Sequence, residues 1–346
     1  MAEAHVLAVA TGAARTSGPF RDRRARRRYA IVVGVLAAIA IAALVGILVH
    51  GNPVPVGTEG FWRIVQMRAS NVLVILVVAV SQATATVAFQ TVANNRIVTP
   101  SIMGFESLYA AVQTTAVYLL GAAGITALQG LPQFALQIAL MTAFAVALYG
   151  WLLSGRYGNM QVMLLIGIVI GGGLGAVATF MQRLLTPSEF DVLAARLFGS
   201  IANADASYLP LAVPLCLVAA SLLWLRSRRL NVMALGPDAA NALGVGHRRE
   251  QLQVLLLVAV LMATSTALIG PMTFLGFLVA TLAYQLADTH DHRLVFPVAV
   301  LASIAVLGGA YFVMKHLFSA QGVVSIIIEL VGGTVFLLVL LRKGRL

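Results

Sequence analysis

Two carboxylates, Glu106 and Glu329, sit in stretches otherwise apolar enough to lie in lipid. A charge at the bilayer centre costs about 2.5–3.5 kcal/mol even on the mildest insertion scale, so each must face protein or water. Glu106 follows Thr99-Pro100-Ser101-Ile102-Met103-Gly104-Phe105, a helix entry broken by proline and glycine that a plain anchor does not need. A carboxylate there can line a solute path or carry a proton. Glu329 reads first as a neutral, hydrogen-bonded carboxyl near a helix end. The polar series Gln82, Thr84, Thr86 and Gln90 has two readings, a pathway lining or hydrogen bonds between helices.

Most other chemistry is excluded. Lys315 and Lys343 both lack the upstream glycine of a G-x-x-x-x-G-K-[ST] loop, so the chain has no phosphate cradle with which to hydrolyse ATP. It has neither a cysteine cluster nor H-E-x-x-H, and no metal site is expected. Asp288-Thr289-His290-Asp291-His292 imitates a metal cluster but falls in a short turn between apolar runs, where a solvated connector is expected. Ser81 and Ser265 have no His/Asp partners by sequence, and the single Cys216 cannot close a disulfide within the chain.

The elements that must position these residues are set by composition. Of 346 residues, 60% are hydrophobic and 10% charged, and the mean hydropathy is +0.94. A soluble domain carries about 25% charged residues, so a soluble enzyme, a disordered chain and a disulfide scaffold are all excluded. The net charge of +11 lies in short clusters between apolar runs, not on one basic face, so nucleic acid is not a partner. Crossing about 30 Å of hydrocarbon takes roughly 20 residues of helix. Ten runs qualify: 30–50, 70–93, 99–121, 132–154, 160–182, 207–226, 251–270, 273–288, 294–316 and 323–341. The eighth is short, and Gly270-Pro271 makes it either half of a tight hairpin or a broken helix. With a cytoplasmic N-terminus, all but five of the 23 Lys+Arg residues fall inside; Arg63, Arg68, Arg183, Arg196 and Lys315 remain outside. That bias supports ten spans with both termini cytoplasmic. The chain is therefore an all-α polytopic protein of the cell (cytoplasmic) membrane. Residues 1–28 form an Arg-rich cytoplasmic segment, expected to be mobile and held near anionic headgroups by Arg23 to Arg28, and residues 29–346 the transmembrane domain. Gly167, Gly171 and Gly175, four residues apart, read as a surface for close helix packing.

The longest cytoplasmic loop runs from Arg226 to Glu250. Gly236-Pro237 sets a helix start, Asp238 adds negative charge to its first turn, Ala239, Ala240, Ala242 and Leu243 continue it, and Gly244 closes it. A short exposed helix flanked by arginines is either an interfacial turn or a plug for a groove on a partner.

Three stretches together carry a family resemblance: LNVMALGPDAANALGV (230–245), GPMTFLGF (270–277) and FQTVANNRIVTPSIMGF (89–105). Over about residues 60–345 the chain resembles permease subunits of the iron–siderophore and cobalamin class of ABC importers. The third stretch is most similar to permeases for ferric catecholate siderophores of the petrobactin and anguibactin type. The resemblance implies the type II importer fold, with ten helices per subunit. It also implies a second permease subunit (a copy or a paralogue, with the subgroup favouring a paralogue), two cytoplasmic ATPase subunits that hold ATP and Mg, and an extracellular solute-binding protein that delivers a ferric siderophore. No cofactor is implied on this chain. The family's coupling segment maps onto about 230–246, with the coupling helix on Gly236, Pro237, Asp238, Ala239, Ala240, Leu243 and Gly244. Its outer docking arginine maps onto Arg68. Where the family often has a second arginine this chain has Asn71, and Arg63 is the available substitute. After the Gly-Pro signature, Val279-Ala280-Thr281 replaces the family's common Val-Pro-His. Gln82, Thr86, Gln90 and Glu106 are the candidate pathway residues. A passive pore cannot concentrate a scarce, bulky ferric complex, and Glu106 and Glu329 alone make a poor proton relay, so the energy is expected from the ATPases. A proton-coupled secondary transporter is the alternative.

Overall fold

The structure is a computed structural model that describes residues 18–343 apart from 21, 128–129, 155–159, 203, 317 and 319–322. Among these residues the regular elements are helices: α1 Arg23–Val49, α2 Glu59–Val92, α3 Phe105–Ala127, α4 Leu131–Ser154, α5 Met160–Gln182, α6 Pro187–Leu197, α7 Leu209–Leu225, α8 Ser227–Met233, α9 Pro237–Ala242, α10 His247–Ile269, α11 Leu275–Ala287, α12 His292–His316 and α13 Val324–Lys343, with short 3-10 turns at Ser101–Met103 and Ala206–Tyr208. Ten of them coincide with the ten apolar runs. Among the described residues, seven are long and apolar enough to cross a bilayer by themselves. Of the others, α11 is short and α3 is broken at Gly121, whose φ of 67° leaves the helical region.

Helix α2 is the axis of the bundle. Its 34 residues rise about 51 Å, well beyond a hydrocarbon layer, so its first three turns project past the apolar zone. The rest of it is buried by α10, α12, α7 and α11. Helix α1 begins at Arg23, seven residues before the apolar run, because the Asp22 side chain accepts from Ala25 N at 2.6 Å and caps it. Arg23 to Arg28 are therefore helical, not a mobile segment, and Arg28 reaches Asp288 at 3.5 Å. Residues 1–17 lie outside the described residues.

Close backbone approach explains the glycines. The backbones of Gly104 (φ 96°) and Gly171 cross so tightly that a Cβ on Gly171 would lie 2.8 Å from Gly104 Cα. The segment from Gly270 to Phe274 resolves the hairpin-or-break question as a redirection. Gly270 (φ 90°) stops α10, which packs on α2, α4 and α7, and α11 turns away to pack on α12, α2 and α13. This break is stitched to the end of α6 by Ser200 N donating to Ile269 O at 2.9 Å, and the same segment after α6 is tied to the start of α13 by Ser325 N donating to Gly199 O.

Candidate functional site

At the cytoplasmic end, α8 and α9 form a bracket against α10 and α12. Gly236 at φ 95° lets Pro237 open α9, and Gly244 at φ 80° closes it as Val245 N donates to Ala240 O at 2.9 Å. Ala240 faces inward and is fully buried, with α9 packed on α8 and α10. This corrects the expectation that Ala240 belongs to a docking face. What the bracket presents to solvent is Pro237, Asp238, Asn241 and Ala242, rimmed by Leu235 (65% exposed) and Leu243 (63% exposed). Two exposed leucines beside a short helix form an apolar knob of the kind a partner groove covers.

Two buried polar junctions hold the bracket. Glu250 on α10 accepts from Arg226 Nη1 at 2.6 Å and from Arg229 Nη1 at 2.9 Å, and Arg226 also donates to Gln253 Oε1 at 2.6 Å. On the other side, Asn231 of α8 donates to Asp291 Oδ1 at 3.0 Å, while its Oδ1 accepts from His292 N at 2.9 Å. The His292 ring meets Asn231 Oδ1 through Nδ1 at 2.5 Å and Thr91 Oγ1 of α2 through Nε2 at 2.6 Å. Asp291 and His292 are thus buried and engaged with α8 and α2 rather than forming the solvated connector read from sequence. Among the described residues no group of three or more His, Cys, Asp and Glu side chains could hold a metal ion. The Arg293 guanidinium chelates Asp291, and together with Asn231 it holds that carboxyl down to about 2.

Inside the bundle, Glu106 Oε2 accepts from Thr273 Oγ1 at 2.6 Å, tying the start of α3 to the break after α10. Its other oxygen has no partner. Glu106 borders a cavity of about 270 Å³ together with Gly175, Thr179, Gln182, Leu197 and Pro271. Glu329, read from sequence as a neutral, hydrogen-bonded carboxyl near a helix end, stands exposed on α13 among exposed Ile326 and Leu330. Gln82, Thr86 and Gln90 are enclosed between helices: Gln82 Nε2 donates to Ser265 Oγ of α10 at 3.2 Å, Gln90 Nε2 donates to Arg96 O at 2.7 Å, and Thr86 abuts Gly276 of α11.

At the outer end, Arg68 spends its guanidinium on the exposed carbonyls that end α1, donating to His50 O at 2.7 Å, Gly51 O at 3.1 Å and, more weakly, Ile47 O and Leu48 O. Asn71, where a second family arginine would stand, donates to Tyr311 OH of α12 at 3.1 Å. Arg63 projects into solvent, paired at 2.6 Å with Glu59 one turn back.

The profile of the FecCD transport family matches residues 58–342, almost the whole bundle. The chain belongs to the FecCD transport family. It is 48% identical over 332 residues, 96% of this chain and 94% of the relative, to the petrobactin import system permease protein FatC of Bacillus anthracis. It is 35% identical over 278 residues, 80% of this chain and 88% of the relative, to the petrobactin import system permease protein YclO of Bacillus subtilis. Its fold matches the solved inward-facing structure of a metal-chelate type ABC transporter with a TM-score of 0.77 at 22% identity, covering 91% of this chain and 99% of that one. This FecCD chain is a multi-pass membrane permease, a transport subunit and not an enzyme.

Sequence reading of this FecCD chain misses three contributors to these sites. Glu250 reads only as the end of a loop, Thr273 only as part of a signature, and α6 goes unforeseen. The last carries a signal: Thr186-Pro187-Ser188-Glu189 forms a capping box, with Glu189 Oε2 accepting from Thr186 N at 2.9 Å.

Proposed function

We propose that this chain is the permease subunit of an ATP-driven importer that moves a ferric siderophore, of catecholate type, from an extracellular binding protein into the cytoplasm. The observation that carries the reading is the position of Glu329. A carboxylate exposed on an apolar helix, between Ile326 and Leu330, is compatible with a membrane only if a second subunit or a water-filled path covers it. A central path between two permease subunits, lined by α13 and by the Glu106 cavity, meets that requirement. Residues 29–346 form the permease domain, behind the arginine-rich segment 1–28. Two petrobactin permeases among its relatives support the cargo class.

Energy enters through the segment 230–246. In this reading two cytoplasmic ATPase subunits, which bind the ATP and Mg, each close a groove over the knob made by Leu235, Pro237, Ala242 and Leu243. Glu250 and Asn231 carry the resulting push to α10, α12 and α2 as one rigid unit. At the outer mouth Arg63 is the exposed cation that meets carboxylates of the binding protein, since Arg68 is engaged in capping α1. Arg63 charge reversal therefore weakens binding-protein capture, while Arg68 replacement loosens the first hairpin.

The test is uptake of a ferric petrobactin-type siderophore into proteoliposomes that hold the permease pair, the ATPase and the binding protein. Uphill accumulation that needs internal ATP and survives collapse of the proton gradient is expected. Accumulation without the ATPase, abolished by Glu106→Gln together with Glu329→Gln, overturns the reading in favour of proton coupling.

A further inference from the structure

Besides the Glu106 cavity, a second cavity of about 460 Å³ opens between α3, α4, α6 and the last turn of α10. It lies at the end of the bundle that the charge distribution assigns to the outside. Its polar groups form a directed relay. Arg196 of α6 can only donate, so Gln113 of α3 must present it an oxygen, at 3.3 Å. The Gln113 nitrogen is then left to donate to Gln137 Oε1 of α4, at 2.7 Å. That in turn fixes the Gln137 amide with its nitrogen free. Gln137 is 6% exposed and its Nε2 has no partner, although it borders a cavity of a size that ordinary ligands fill. One turn earlier, Gln133 Oε1 is also buried without a partner. One buried donor and one buried oxygen are thus left without partners on two residues that line the same cavity.

The occupant must therefore carry an acceptor for Gln137 and Arg196, while the Gln133 amide, held by no hydrogen bond, can turn its oxygen toward a donor. At the rim, Asp205 adds an exposed carboxylate and Tyr208 an aromatic wall stacked on Phe134 at 4.6 Å. One cation at depth and one anion at the mouth select a zwitterion over a simple anion. Immediately beside the two glutamines, each three residues on along α4, Leu136 and Leu140 are 60% and 46% exposed. We propose that this cavity binds the headgroup of a zwitterionic phospholipid of the outer leaflet, with the phosphate on Arg196 and Gln137, the ammonium toward Gln133 and Asp205, and the acyl chains along Leu136 and Leu140. Such a lipid wedges α4 to α6, the helix stitched to the Gly270 break, and so holds the outer ends of the bundle in register.

The test uses the full-length chain, purified in detergent with its co-expressed partner subunits and titrated with dihexanoyl-phosphatidylethanolamine while bound lipid is counted by native mass spectrometry. Gln137→Glu keeps the oxygen that accepts from Gln113 and replaces the free donor by a second acceptor. Arg196→Gln removes the cation, and Arg196→Lys restores it. Saturable binding, weakened at least tenfold by Gln137→Glu and by Arg196→Gln and recovered in part by Arg196→Lys, is the expected result. Phosphorylethanolamine binding as tightly as the lipid upholds the site and assigns it a soluble zwitterion. Binding unchanged in both variants, or dihexanoyl-phosphatidylglycerol binding equally in all of them, overturns the proposal. A melting temperature for lipid-free Gln137→Glu close to wild type separates loss of the ligand from loss of the fold.

Discussion

Arg226 and Glu250 meet at 2.6 Å where α7 gives way to α8, and the carboxylate side chain is only 5% exposed. A second guanidinium, Arg229, satisfies its other oxygen. The pair is thus a joint between the membrane bundle and the cytoplasmic bracket, not a surface ornament. Removing one partner of a buried ion pair strands the other and costs about 3–5 kcal/mol. Glu250→Ala strands Arg226, 25% exposed, and Arg229, 60% exposed, which water partly solvates, so its loss in denaturant unfolding of the solubilised importer should fall below that figure, at about 1–3 kcal/mol. Glu250→Gln, which can still accept from one arginine, should cost clearly less. Equal stability of both variants and wild type would show that the joint is slack.

The inward turn of Ala240 divides the bracket into variants that break it and variants that blind it. Ala240→Arg forces a long cation into a fully buried position and is expected to lower the melting temperature as well as uptake. Leu243→Arg or Leu235→Arg alters only the exposed knob. Each is expected to leave melting within a couple of degrees while weakening the ATPase–permease complex by about 2 kcal/mol, roughly thirtyfold in affinity. Pull-down titration of the ATPase subunit against the solubilised permease measures this. Full affinity in both leucine variants sinks the docking role of the knob.

The helices over the ten apolar runs were legible because apolar length is a coarse, additive signal. What escaped was anything set by distant partners or by short elements. The burial of Asp291 and His292 depends on Asn231, about sixty residues earlier in the chain, which no local pattern announces. The direction of Ala240 was unreadable because a six-residue helix has no period to read. Helix α6 is amphipathic and short, and fell between windows tuned to lipid-crossing runs, although its cap was written in Thr186 and Glu189. Arg68 carried the right charge in the right place for docking, yet the end of α1 occupies it.

The Asp291 junction gives the bracket a pH dependence whose sign is fixed. Hydrogen bonds from Arg293, with help from Asn231, lower its carboxyl to about 2 in the folded state, below the usual value near 4. A carboxylate depressed on folding contributes stability that is fully present above about pH 4 and is lost as pH falls toward 2. Asp291→Asn lacks this contribution. The stability gap between wild type and Asp291→Asn should therefore be constant from pH 7 to about 5, and close as the solution is acidified through 4 and below. Calorimetry of the two proteins across that series tests it, and a gap that widens with acid contradicts the assignment.

Thr86 and Gly276 decide between the two readings of the polar series on α2. A Cβ on Gly276 would stand 2.2 Å from Thr86 Oγ1 and 3.2 Å from Thr86 Cβ, with Gln82 Oε1 at 3.4 Å. Helices α2 and α11 therefore touch at this point through a missing side chain, and Thr86 Oγ1 is buried without a hydrogen-bond partner. Gly276→Ala should cost about 1–3 kcal/mol through overpacking. Thr86→Ala removes an unsatisfied hydroxyl and opens the room that the added methyl group of Gly276→Ala lacks, so alone it should be close to neutral. The double variant should recover more than about 1 kcal/mol of the Gly276→Ala loss, a coupling that only contacting residues display. If Thr86 instead lines the cargo path, Thr86→Ala by itself should change uptake, and the coupling in stability should vanish. Unfolding of the four proteins, with uptake measured on each, separates a packing contact from a pathway wall at a single atom.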